Sequence, residues 1–161
     1  VHVGGKIPPK CGEHGIAALA VHGPNEPHVA VEKALMRHIV SAMLIVVAII
    51  HLMPLSGVLG SERLSALYGI RFDEPNLAIL MRHRAVLFGL LGVFLLYAAF
   101  RPAFQLAAFV AGFVSVISFL YLTWAEGGYN AQVGRVFTAD IVALVCLIVG
   151  AAAYVYLPRE G

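Results

Sequence analysis

The stretch HIVSAMLIVVAIIHLMPLSGVLG, residues 38–60, decides the fold. It holds no Asp, Glu, Lys or Arg from Ile39 to Leu59. A helix rises about 1.5 Å per residue, so a run of about 20 apolar residues crosses the roughly 30 Å hydrocarbon layer of a membrane. This run meets that length. Pro54 lacks an N–H and Gly57 is helix-weak, so the helix is expected to kink or end near its far side.

Three further apolar runs follow. The second reads from Pro75 to Phe100 and is free of charge from Ala85 onward. Asp73 and Glu74 precede Pro75, which suits the positive end of a helix and its first turn. Its early turns, bearing Arg82, His83 and Arg84, are expected in the headgroup zone or inside the protein. Arg101-Pro102 ends it. The third run is Ala103 to Trp124. In it Ala107, Ala111 and Ser115 recur every four residues, as do Ala108 and Gly112, a spacing that lets helices approach closely in lipid. Tyr121 and Trp124 stand where an interfacial aromatic belt belongs. The fourth run, Val136 to Leu157, leaves the membrane at Tyr154 and Tyr156. Short linkers make neighbouring helices antiparallel.

Composition agrees. Of the 161 residues, 60% are hydrophobic and 12% charged, about half the charged share of a soluble domain, which is about 25%. The net charge of +2 is scattered, with no basic run and no interleaved aromatics, so nucleic acid is not an expected partner. Cys11 and Cys146 are far apart, and Cys146 sits in an apolar run, so no disulfide is expected. Residues 1–35 are rich in Gly and Pro and read as a flexible or loosely folded leader. A helix leading into the membrane is expected to begin between Asn25 and Leu35. Cys11, His14, His22 and His28 do not have the spacing of a strong zinc signature, so no metal is expected. The segment GVLGSER lacks the lysine of a phosphate-binding loop.

Placed on their helices, the polar residues gather at one end. His51 lies 13 residues beyond His38, about 20 Å along the helix. Arg82, His83 and Arg84 reach the same face, and so do Glu126, Tyr129, Asn130 and Arg135 of the third linker. Asp140 lies about one turn into the fourth helix. An ionised side chain costs about 2.5 kcal/mol or more at the membrane centre unless it is paired or hydrated. Asp140 is therefore expected to pair with an arginine, Arg84 before Arg82 because Arg84 is deeper. The two arginines lie about 200° apart around the helix and cannot share one partner without snorkelling. His38, His51 and His83 do not make a matched two-helix haem set, so no haem is expected. Ser115 and Ser118 read as packing or interhelical hydrogen-bonding residues, with no histidine or carboxylate placed to activate them.

From Met36 onward, the segments HLMPLSGVLG, LYGI, EPNLAILMRHRAVLFGLLG and GGYN resemble small bacterial four-helix membrane proteins of the DoxX-like group. That resemblance implies an accessory membrane subunit linked to quinone or thiol redox chemistry. The redox-linked cysteines of some members have no counterpart here, which tells against a direct redox role.

The sequence therefore predicts an all-α, integral membrane four-helix up-down bundle over residues 36–161. Its spans are expected at about 38–60, 80–100, 103–124 and 136–157, behind the leader of residues 1–35. The expected location is a bacterial cytoplasmic membrane, with both termini inside. The candidate ligand-binding set is His51, Arg82, Arg84, Asp140, Glu126, Tyr129 and Asn130, with no catalytic residue, cofactor or metal assigned. The expected ligand is a small amphipathic or anionic molecule, a quinone or a lipid head group. The alternative is an accessory subunit of a larger membrane complex, or a homo-oligomer.

Overall fold

The computed structural model describes residues 26–71 and 74–157. Its regular structure, among the described residues, is helical. Helix α1 spans Glu26–Leu52 and passes directly into a 3₁₀ segment, Met53–Leu59. A short helix, α2, follows at Ser61–Tyr68. Then come α3 at Pro75–Ala99, α4 at Pro102–Glu126 and α5 at Ala131–Tyr156. Four helical stretches are long and apolar enough to cross a membrane: His28–Leu59, Pro75–Ala99, Pro102–Glu126 and Ala131–Tyr156. The chain is a multi-pass membrane protein built as an all-α four-helix bundle. The first helix begins at Glu26, within the Asn25–Leu35 interval expected to lead into the membrane; α2 was not anticipated.

The boundaries follow from local chemistry. Pro54 cannot donate to the α-helical ladder, so the chain tightens into the 3₁₀ segment. That segment ends at Gly60, whose φ of 155° disfavours a side chain. Helix α2 stops at Gly69 in the left-handed region, with its N–H on the Ser65 carbonyl at 2.8 Å, as helix C-termini commonly do. Pro75 and Pro102 each occupy the first turn of their helices, where a missing N–H costs nothing.

The start of α3 is capped by Glu74. Its carboxylate accepts from the N–H of Asn76 at 2.9 Å and of Leu77 at 2.7 Å. These bonds hold the Glu74 carboxyl below the usual carboxylate range. A group whose pKa is depressed by folding contributes stability above its unfolded pKa, and that contribution is lost as pH falls through the folded value. The Asn76 and Leu77 amides are therefore expected to resist hydrogen exchange at neutral pH. Their protection should fall, relative to the helix interior, as pH drops below the usual carboxylate range. In Glu74→Ala that relative protection should be low at every pH; a pH-dependent profile persisting in this variant would refute the cap.

The bundle is cyclic. Helix α1 packs on α3 and α5, α4 packs on the same two, and α1 and α4 meet across the diagonal. The core is narrow, with Leu44, Val47 and Ala48 of α1 against Leu95 and Ala98 of α3, Val116 of α4 and Leu147 of α5, all fully buried. Close approach is allowed by glycine where helices touch. Gly92 faces Leu52 and the Ala48 carbonyl, and Gly150 faces Met43 and the Phe109 ring. At the α3–α4 turn the Ser41 hydroxyl donates to the Ala99 carbonyl at 2.6 Å. The outer faces carry Leu90, Val93, Val114 and Ile148 more than half exposed. Apolar surface of this extent is unfavourable in water and suits lipid contact.

Candidate functional site

The end of the bundle where α1 stops and α5 starts is closed by α2. Leu64 and Tyr68 of α2 are buried in a small second core with Met81 of α3 and Val133 of α5. Asn130 locks this corner. Its side-chain oxygen accepts from the Val133 N–H at 2.9 Å, capping α5, while its amide donates to the Tyr68 carbonyl at 2.7 Å.

Beneath α2 lies a cavity of about 290 Å³. The end of α1 and the 3₁₀ segment supply Ile50, His51, Met53 and Pro54, and α2 supplies Ala66, Leu67 and Tyr68. Phe88 comes from α3. Helix α5 contributes one face, Gln132, Arg135, Val136, Ala139 and Asp140. The lining is mostly apolar with a few polar groups, the usual make-up of a small-molecule site, and the volume is at the small end of such sites, about 300–1,000 Å³.

His51 is buried, and both its ring nitrogens are engaged. Nδ1 lies 2.9 Å from the Val47 carbonyl, and Nε2 lies 3.2 Å from the Ser115 Oγ. A carbonyl can only accept, so Nδ1 carries the proton, and in the neutral ring Nε2 accepts from the Ser115 hydroxyl. The bond joins α1 to α4 across the bundle diagonal. The edge of the ring meets Phe88, with centroids 5.8 Å apart and planes at 61°. Ser115 thus makes the kind of interhelical hydrogen bond the sequence reading expected, but its partner is a histidine, which that reading did not place beside it. The local sequence of α4 holds no trace of a partner 64 positions away.

Arg84 does not bond Asp140: among the described residues no salt bridge joins them within 4.0 Å. Its guanidinium instead sits over three rings from three helices, Phe88 at 5.0 Å, Phe119 at 5.5 Å and Tyr68 at 5.9 Å. Arg84 is half-buried, and cation–π contact, worth about 0.5–2 kcal/mol according to exposure, gives its charge a partner other than the expected carboxylate.

The remaining predicted residues separate. Arg82 points away from the cavity, its Nε donating to the Val58 carbonyl at 3.1 Å and tying α3 to the 3₁₀ segment. His83 is exposed. Glu126 is exposed in the last turn of α4. Tyr129 is half exposed and stacks on Phe137, with centroids 6.0 Å apart. His51 and Asp140 line the cavity, Arg84 lies behind two of its aromatic walls, and Asn130 supports the α2 corner. Sequence reasoning missed Tyr68, Gln132 and Phe88. The signal for α2 was present in Leu64, Leu67 and Tyr68, which have the spacing of one helical face. Cys11, His14 and His22 lie outside the described residues, and among the described residues no group of three or more His, Cys, Asp or Glu could hold a metal ion.

Comparisons with protein-family models, with curated proteins and with solved structures give no match for this chain.

Proposed function

We propose that this membrane protein binds a small amphipathic molecule, a quinone or a lipid head group, in the cavity beneath α2. The observation that carries the reading is the cavity itself: about 290 Å³ of largely apolar space at one end of the bundle, with His51, Arg135 and Asp140 in its walls. A helix bundle serving only as a scaffold has no need for a cavity with a carboxylate in its wall, because such a group is costly at membrane depth. Kinship with DoxX-like proteins and a bacterial cytoplasmic membrane with both termini inside complete the proposal.

The test is retention. The native chain, purified in mild detergent, is expected to carry one amphipathic species close to stoichiometrically by mass spectrometry. Ala139→Phe places a ring in the cavity and should lower retention about tenfold or more, equivalent to about 1.4 kcal/mol, with the melting temperature little changed. A folded native protein without any amphipath, or retention indifferent to Ala139→Phe, overturns the reading. Co-migration with larger subunits and an empty cavity would instead support an accessory role.

A further inference from the structure

The polar groups of the cavity are separated by depth along α5. Arg135 stands near the start of the helix, and Asp140 is five residues further in, about 7.5 Å along the axis. Both line the cavity, yet they do not pair with each other. Among the described residues neither makes a hydrogen bond or salt bridge. The space between them is apolar, walled by Val136, Ala139, Ile50 and Phe88. His51 offers no competing group, since both its nitrogens are already bonded.

This places a cation nearer the membrane surface and a carboxylate deeper, each with open hydrogen-bonding capacity. A purely anionic ligand long enough to fill the space would meet Asp140. A purely cationic one would meet Arg135, with the Arg84 guanidinium behind the ring wall. Arg135 is exposed at the mouth of the cavity and Asp140 is half-buried, and a ligand bearing both charges gives each an opposite partner and a charge-assisted hydrogen bond. We propose that the cavity is a site for a zwitterionic amino head group, its ammonium donating to Asp140 and its phosphate or carboxylate accepting from Arg135. Soluble phosphoethanolamine, entering ammonium first from the membrane surface, has this chemistry, and so has the head group of phosphatidylethanolamine when its ammonium folds inward past Arg135. The inference rests on the cavity being a ligand site and adds the class of ligand.

The test uses the full chain, delipidated in detergent and titrated with lipids of identical acyl chains, bound species being read by native mass spectrometry. Phosphatidylethanolamine is expected to bind about tenfold more tightly than phosphatidylglycerol, which lacks the ammonium, or phosphatidylcholine, whose ammonium has no N–H. Asp140→Asn should abolish that preference, and Arg135→Gln should weaken all three lipids. Displacement of the lipid by soluble phosphoethanolamine supports the head-group chemistry with a soluble source, and resistance to displacement supports a lipid source. Equal binding of the three lipids, preference for phosphatidylglycerol, or an unchanged preference in Asp140→Asn overturns the inference. If those lipids still bind and Ala139→Phe expels them, the cavity reading stands while this inference falls. Binding indifferent to Ala139→Phe removes both. Should Asp140→Asn not yield a folded bundle, the ranking of the three lipids by the native chain decides alone.

Discussion

Gly92→Leu is expected to lower the stability of the bundle by about 3 kcal/mol, near the top of the range for overpacking a tight interface. A Cβ at this position would lie 2.8 and 2.9 Å from Leu52 Cγ and Cδ2 and 3.1 Å from the Ala48 carbonyl oxygen. The leucine can rotate; the carbonyl belongs to the backbone of α1 and can yield only if the helices separate. Separation is especially costly in lipid, where helices are held by van der Waals contact rather than by exclusion of water. Gly134→Ala is the comparison. There a new Cβ would meet only Tyr129 ring carbons, at 3.7 and 4.0 Å, so the helix-propensity gain of about 0.5–1 kcal/mol should survive. Unfolding by sodium dodecyl sulfate, followed by circular dichroism, measures both. A Gly92→Leu bundle as stable as the native one would mean that α1 and α3 do not meet as described.

His51→Ala is expected to cost about 2 kcal/mol. In water, truncating a buried ring of this size would cost about 3–5 kcal/mol. In a bilayer the unfolded reference is already in lipid, so the transfer share of that cost largely disappears and lost packing against Phe88 remains. The bond to Ser115 adds a smaller part, because a freed serine hydroxyl can turn to a carbonyl in the preceding turn of its own helix. A double-mutant cycle of His51→Ala with Ser115→Ala isolates that part. The coupling should be about 0.5–1.5 kcal/mol, the scale of interhelical hydrogen bonds in membranes. Zero coupling would show that the diagonal bond is not formed. The variant should also weaken ligand retention, since the His51 ring is part of the cavity wall.

The candidate site was legible in part. Depth along each span was readable, because position on a helix converts to distance at a fixed rise, and this placed His51, Arg84, Arg135 and Asp140 at one end. Direction around each helix was not. Arg82 and Arg84 were recognised as facing different ways, but which of them turned toward the polar end depended on Tyr68, Phe88 and Phe119 gathering around Arg84. Asp140 gave the reverse case. Its need for a partner was evident, and the nearest arginine was an obvious choice, but a ring from that arginine's own helix and rings from α2 and α4 hold it.

The number and approximate position of the spans belong to the sequence alone. A membrane leaves each backbone segment to satisfy its own hydrogen bonds, so an uncharged run of sufficient length becomes a helix whatever its neighbours are, and proline near its ends sets where it stops. Tertiary structure alone decided the docking of α2, the His51–Ser115 bond, the aromatic cage and the cavity they enclose. The reason is that lipid and protein interior are nearly equally apolar. A spanning helix has little need for a polar face, so its sequence does not mark which side meets its neighbours. That choice falls to shape, to the glycines that admit a neighbouring helix and to the few polar groups that must find partners across the bundle.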